Sequence, residues 1–109
     1  MTTPLLSIVS PVYESARIVA PLVERIVAAV TPITPDFEIL LVEDSSPDDS
    51  WSQISLVAQT EPRVRGLRLS RNFGQHAALT AGLANSRGDF VIVMDCDLQD
   101  DPAYIPALL

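Results

Sequence analysis

The sequence predicts an α/β domain, a Rossmann-like and mainly parallel sheet with flanking helices. Three observations predict it. Short, nearly continuous apolar runs recur along the chain, stretches with helical spacing lie between them, and the distinctive polar residues gather just after the apolar runs. Strands that are apolar on both faces belong to sheets covered on both sides, as parallel sheets are.

The first strand is expected at Leu6–Ser10. Ile18, Leu22, Ile26 and Val30 then recur at a spacing of four, with Val19, Val23 and Val27 beside them, which is the apolar stripe of a helix. Pro21 fits its first turn, where a missing N–H costs little. A second strand at Phe37–Glu43 runs into "SSPDDSW", read as Ser46 at the N-cap, Pro47 at the first helical position and Asp49 completing a capping box. That helix continues through Trp51, Ile54, Val57 and Ala58. Val64–Leu69 forms the third strand.

A third helix is expected from Gln75 to Ser86 with Ala78, Leu79, Gly82 and Leu83 inward, their small members allowing close approach to the sheet. Gly88 ends the turn into a fourth strand at Phe90–Asp95, and a last helix begins near Asp101 and Pro102. It reaches Leu109 without a Gly or polar stop. Residues 1–109 thus read as one domain, or part of one, cut in mid-element.

Composition narrows the chemistry. The chain has 109 residues, a net charge of −7 and seven arginines but no lysine. Without lysine there is no P-loop ending in Gly-Lys-Ser/Thr and no Schiff-base chemistry. The acidic balance offers no basic stripe for a phosphate backbone, so no nucleic-acid partner is expected. Cys96 is the only cysteine, which excludes an internal disulfide and any Cys-cluster metal site. No apolar run approaches the roughly 20 residues that span a bilayer, and the N-terminus lacks the features of a signal peptide. A cytoplasmic setting follows by default.

The order βαβαβαβ implies a doubly wound sheet, in which ligands bind outside the carboxyl ends of the strands. Those ends carry "PVYES", "EDSSPDD", "SRNFG" and "DCDLQDD", whereas the opposite edge, with "TPITPD", "TEPR" and "SRGD", reads as ordinary turns. Within "DCD", strand alternation points Asp95 and Asp97 to one side. Two carboxylates so placed suit a hard divalent cation, Mg²⁺ or Mn²⁺, shared with substrate phosphates; a solvated acidic turn is the plainer reading.

"SPVYE", "LLVEDSSPDDSW", "LSRNFGQHAALTAGL" and "GDFVIVMDCDLQDDPAYIP" together resemble the inverting family-2 glycosyltransferases of GT-A fold, most closely the branch of dolichyl-phosphate mannose synthase and the bacterial polyprenyl-phosphate glycosyltransferases. The resemblance covers essentially the whole chain. It implies the nucleotide-sugar-binding half of a GT-A fold, with Asp95 and Asp97 as a D-x-D that binds the metal-diphosphate and Gln99 as a further metal contact. Pro11, Tyr13 and Glu14 fall in the nucleotide-contacting segment, and Asp44 falls where an acidic residue meets base or ribose. Arg71 and Asn72 lie in the segment after strand three that characterises the lipid-phosphate branch.

The implied function is metal-dependent transfer of a sugar, with inversion, from a UDP- or GDP-sugar to a polyprenyl-phosphate or other cell-envelope acceptor. The acceptor half would lie beyond this chain, and the full-length protein would sit at the cytoplasmic face of the membrane. Little or no transferase activity is expected of this portion alone, and its incompleteness leaves self-association open. The chain departs from the family's Pro-x-Tyr-Asn-Glu pattern by placing Glu14 and Ser15 at the last two positions, and Glu43 replaces the first of the usual acidic pair.

Plainer roles compete at several positions. Asp48 and Asp49 suit a helix N-terminus, His76 a surface or packing role, Cys96 and Trp51 packing. Arg71 could pair with Asp44 or with an aspartate of the last cluster instead of binding phosphate. A receiver domain lacks its lysine here, and a dinucleotide-binding oxidoreductase lacks the Gly-rich turn after strand one. A nucleotidyltransferase of similar architecture and a non-catalytic binding module are the alternatives.

Overall fold

The computed structural model of the chain describes residues 5–95. Its elements are β1 (Leu6–Val12), α1 (Ala16–Val30), β2 (Phe37–Glu43), α2 (Ser50–Thr60), β3 (Val64–Arg68), α3 (Gln75–Asn85) and β4 (Phe90–Val93). The sheet is parallel throughout, in the order β3-β2-β1-β4. The chain therefore steps outward from β1 to β3 and then returns to the other side of β1. That reversal lies between β1 and β4, where a doubly wound sheet opens a crevice for ligands.

Two apolar layers hold the sheet. Leu6, Ile8 and Val12 of β1 and Ile39 and Leu41 of β2 pack beneath Val19, Leu22, Val23, Ile26 and Val30 of α1 and Ile54 of α2. On the other face Val9, Leu40 and Val42 meet Ala78 of α3. The alternation along β1 and β2 thus feeds both layers at once, which explains why their sequences are almost wholly apolar. Gly82 brings α3 against β1, since a Cβ there would overlap Val9 and press on Val42 at 3.1 Å.

Several boundaries differ from the sequence expectations. β1 continues through Pro11 and Val12, which pair with Val42 and Glu43 of β2. Proline is tolerated there because, among the described residues, the last bond from the β4 side is Met94 N–H to the Val9 carbonyl, before Pro11 is reached. Helix α1 begins at Ala16, so Pro21 lies in its second turn and not its first. β3 and β4 are shorter than expected, although the Leu69 and Met94 amides still donate to Glu43 and Val9.

The capping box at α2 does not form. The helix starts at Ser50, and neither Ser46 nor Asp49 makes a side-chain cap bond to it. Leu83, expected inward, is 48% exposed, and so are Phe90 (57%), Val91 (39%) and Val93 (45%). Among the described residues β4 pairs with β1 alone, so it is an edge strand and lacks the double-sided burial its composition suggests. The expected helix near Asp101 lies outside the described residues.

The amino edge of the sheet is more than a row of turns. Glu38 is buried there and accepts hydrogen bonds from Ser7 Oγ (2.6 Å), Arg65 Nη1 (2.7 Å) and the Arg87 amide (2.7 Å). Ser7 Oγ in turn accepts the Gly88 amide at 2.8 Å. A side chain at Gly88 would run into the Ser7 backbone at 2.6 Å, so the turn into β4 can close on β1 only with glycine. Burial alone would raise the Glu38 pKa, but the bonds from Ser7, Arg87 and Arg65, with the Arg65 charge, hold it below the usual carboxylate value.

Candidate functional site

At the carboxyl ends of β1, β2 and β4 an open cleft of about 410 Å³ is lined by Pro11, Val12, Tyr13, Ser15, Asp44, Asn72, Gly74, Gln75 and Asp95. Of the expected site residues, Pro11, Tyr13, Asp44 and Asp95 meet in it. Glu14 and Arg71 do not line it, and Asp97 and Gln99 lie outside the described residues.

The wall after β1 is shaped by a small polar cluster. Glu14 has φ of 49°, in the left-handed region, and its amide donates to Ser46 Oγ at 2.9 Å. The Ser15 amide donates to Ser50 Oγ at 3.1 Å, and the Ala16 amide to Asp48 Oδ2 at 3.4 Å. Both hydroxyls pass the bond on: Ser46 Oγ and Ser50 Oγ each donate to Asp48 Oδ1 at 2.6 Å. Asp48 Oδ1 also accepts the Ser50 amide.

One carboxylate therefore serves the amino ends of α1 and α2 together, as favoured by free N–H groups and helix dipoles. Desolvation would raise the Asp48 pKa, but Ser46, Ser50 and the Ser50 and Ala16 amides pull it down to about 2. The helix-terminal reading of Asp48 is thereby realised by a tertiary arrangement, with Tyr13 projecting from the loop it fixes.

Glu43 and Asp44 end β2 and turn to different tasks. Glu43 is fully buried, accepts the Ser46 amide and pairs with Arg68 Nε at 2.9 Å. Asp44 faces the cleft, where its Oδ1 accepts the Phe73 amide at 2.9 Å and its Oδ2 the Gly74 amide at 3.0 Å. Asn72 Oδ1 accepts the same Gly74 amide at 3.1 Å. Gly74, with φ of 96°, then leads into α3. Asp44 thus holds backbone amides of the loop after β3, and Arg71 lies over the Phe73 ring at 4.7 Å.

Asp95 follows β4 and faces α3. Gln75, the first residue of that helix, donates from Nε2 to Asp95 Oδ1 at 2.9 Å. Both side chains line the cleft. His76, next in sequence, is exposed and outside the cleft; Trp51 packs on the core as expected.

The donor atoms of the expected metal set are all oxygens, which suits Mg²⁺ or Mn²⁺. Asp95 is its one described member, and among the described residues no group of three His, Cys, Asp or Glu could hold a metal. A carboxylate at the mouth of an open cleft fits a cation shared with a ligand better than one caged by protein.

Val12, Ser15 and Gly74 lie in the strand-end segments "PVYES" and "SRNFG" but were not singled out as site residues, and Gln75 was not picked out at all. The available signal was weak: a glycine at the close of the "SRNFG" loop, and a polar residue in the first position of a predicted helix.

Fold and cleft together define a doubly wound α/β domain with its ligand crevice at the strand carboxyl ends, the architecture of nucleotide-binding sheets. The chain belongs to glycosyl transferase family 2, whose family model matches residues 7–109. It is 40% identical over 106 residues to the undecaprenyl-phosphate 4-deoxy-4-formamido-L-arabinose transferase of Aeromonas hydrophila, an alignment covering 96% of this chain and 32% of the relative.

Among solved structures, the mannosyltransferase PcManGT of Pyrobaculum calidifontis, in complex with GDP-Man and Mn²⁺, superposes with a TM-score of 0.77 at 22% identity, covering 89% of this chain and 28% of that one. S. aureus TarS 1-349 in complex with UDP superposes at 0.73 with 24% identity, covering 85% and 27%. These two establish the GT-A fold. The chain spans about a third of the length of the curated relatives it matches. Among the described residues no helix is long and apolar enough to cross a membrane.

Proposed function

We propose that the chain is the donor-binding portion of a metal-dependent glycosyltransferase that uses a nucleotide-diphosphate sugar. The observation that carries the reading is the meeting of Pro11, Tyr13, Asp44 and Asp95, from three separate strand ends, in one cleft. Tyr13, 43% exposed on the cleft wall, offers a face to a nucleotide base. Asp44 keeps acceptor capacity beyond the two amides it holds, because a carboxylate has about four lone-pair sites.

Asp95, with Asp97 and Gln99, would hold Mg²⁺ or Mn²⁺, which supplies positive charge to the diphosphate leaving group. The protein's own share is to bind and orient the donor. An acceptor phosphate is already anionic, so attack on the anomeric carbon needs little help from a general base, and a single in-line displacement inverts that carbon. The similarity to an undecaprenyl-phosphate sugar transferase favours a polyprenyl-phosphate acceptor used at the cytoplasmic face of the membrane. Acceptor binding and the remaining catalytic groups belong to sequence beyond this chain, which alone should transfer little or no sugar.

Calorimetric titration of the chain with UDP and with GDP, with and without Mn²⁺, tests the reading. Binding that needs Mn²⁺ and is lost in Asp97→Ala is expected, and the preferred diphosphate identifies the base. A folded chain that binds neither with the metal present would count against it.

A further inference from the structure

We infer that Gln75 is a positioning residue for the donor site, orienting the Asp95 carboxylate; this rests on the donor-binding reading above. The Gln75 amide lies 2.9 Å from Asp95 Oδ1, and the contact spans the cleft between α3 and the end of β4. Neither end is loosely placed. Asp95 directly follows Met94, whose amide is bonded to the Val9 carbonyl in the sheet.

Gln75 follows Gly74, whose amide is held by Asp44 and Asn72 and whose carbonyl accepts the Ala78 amide in the first turn of α3. A continuous path, Asp44 to Gly74 to Gln75 to Asp95, therefore joins the ends of β2 and β4 through the start of α3. Every polar member of that path lines the cleft.

The chemistry of the amide suits this task. A hydrogen bond to a charged group is among the stronger ones, so a neutral donor can select one rotamer of Asp95. Lysine or arginine at position 75 would also bind the carboxylate, but its positive charge would compete with a cation for it. Glutamate would add a second negative charge beside the first. Glutamine fixes direction and leaves the charge of the site unchanged.

The test compares Gln75→Leu, Gln75→Asn and Asp95→Asn in the 109-residue chain, reading Mn²⁺ affinity by electron paramagnetic resonance with UDP and with GDP present, alongside thermal unfolding. Gln75→Leu keeps the bulk and removes the donor; it should weaken Mn²⁺·nucleotide binding about tenfold with an unchanged melting temperature. Gln75→Asn, which keeps the carboxamide donor one methylene shorter, should lose less affinity than Gln75→Leu, a partial rescue that a purely structural role would not give.

Asp95→Asn should bind more weakly than either. If it does, while Gln75→Leu matches wild type or Gln75→Asn binds no better than Gln75→Leu, the role given to Gln75 is overturned and the donor site stands. If the wild-type chain binds no Mn²⁺·nucleotide, or Asp95→Asn binds as wild type, the donor-site reading fails and this inference with it.

Discussion

Glu43 and Arg68 form an asymmetric ion pair: at an Oε2–Nε distance of 2.9 Å, the carboxylate side chain is fully buried while the arginine is 51% exposed. Removing the arginine strands a charge that cannot reach water, whereas neutralising the glutamate releases a guanidinium that can. Arg68→Met should therefore cost about 3 kcal/mol. Glu43→Gln, which keeps an acceptor for the Ser46 amide, should cost about 1 kcal/mol. Urea unfolding of the two variants reads the difference, and equal midpoints would show that solvent already screens the pair.

Glu14 occupies the left-handed region at φ of 49°, a conformation that disfavours most side chains and that asparagine tolerates better. Glu14→Asn should stabilise the chain by about 0.5–1 kcal/mol, since the bond from its amide to Ser46 Oγ is a backbone donation and survives. A rise of a few degrees in melting temperature is expected. A fall would mean that the glutamate side chain makes a contribution larger than the strain it imposes.

Among the described residues, two carboxylates should make stability fall in acid. Glu38 and Asp48 both titrate below their ordinary values when folded, so the unfolded chain binds protons more readily. Their contribution is complete above the unfolded pKa values near 4 to 4.5 and declines as pH falls toward the folded values, about 2 for Asp48. Asp48 is exposed, so its share is reduced by solvent screening. Glu38→Gln and Asp48→Asn should each flatten the fall of stability below about pH 4.5, the former more. Urea midpoints measured across that range check the order.

Much of the fold was legible because β2 and α1 each carry their burial in their own sequence. Phe37–Glu43 is buried at every residue, and the stripe from Val19 to Val30 meets the sheet as its spacing requires. The start of α2 was illegible because Ser46 and Asp48 serve chain segments 32 residues away, whereas a capping box assumes local partners. The edge position of β4 was hidden likewise, since "FVIV" reads the same in the middle of a sheet as at its border.

The site divides in the same way. Pro11, Tyr13, Asp44 and Asp95 could be found by looking just past each strand. Gln75 and Gly74 belong to the cleft because Asp44, some 30 residues earlier, draws their loop across it. The Glu38 network on the opposite edge has the same origin: its partners at Ser7, Arg65 and Arg87 come from three distant parts of the chain.

The hold of Asp44 on Phe73 and Gly74 is made entirely through main-chain amides. Its geometry therefore does not depend on which side chain stands at position 73, nor on the arginine at 71 stacked above it. The loop works as a socket: the backbone plugs into the scaffold, and the exposed ring at position 73 can be exchanged over evolutionary time, or by an engineer, while the wall of the cleft keeps its shape.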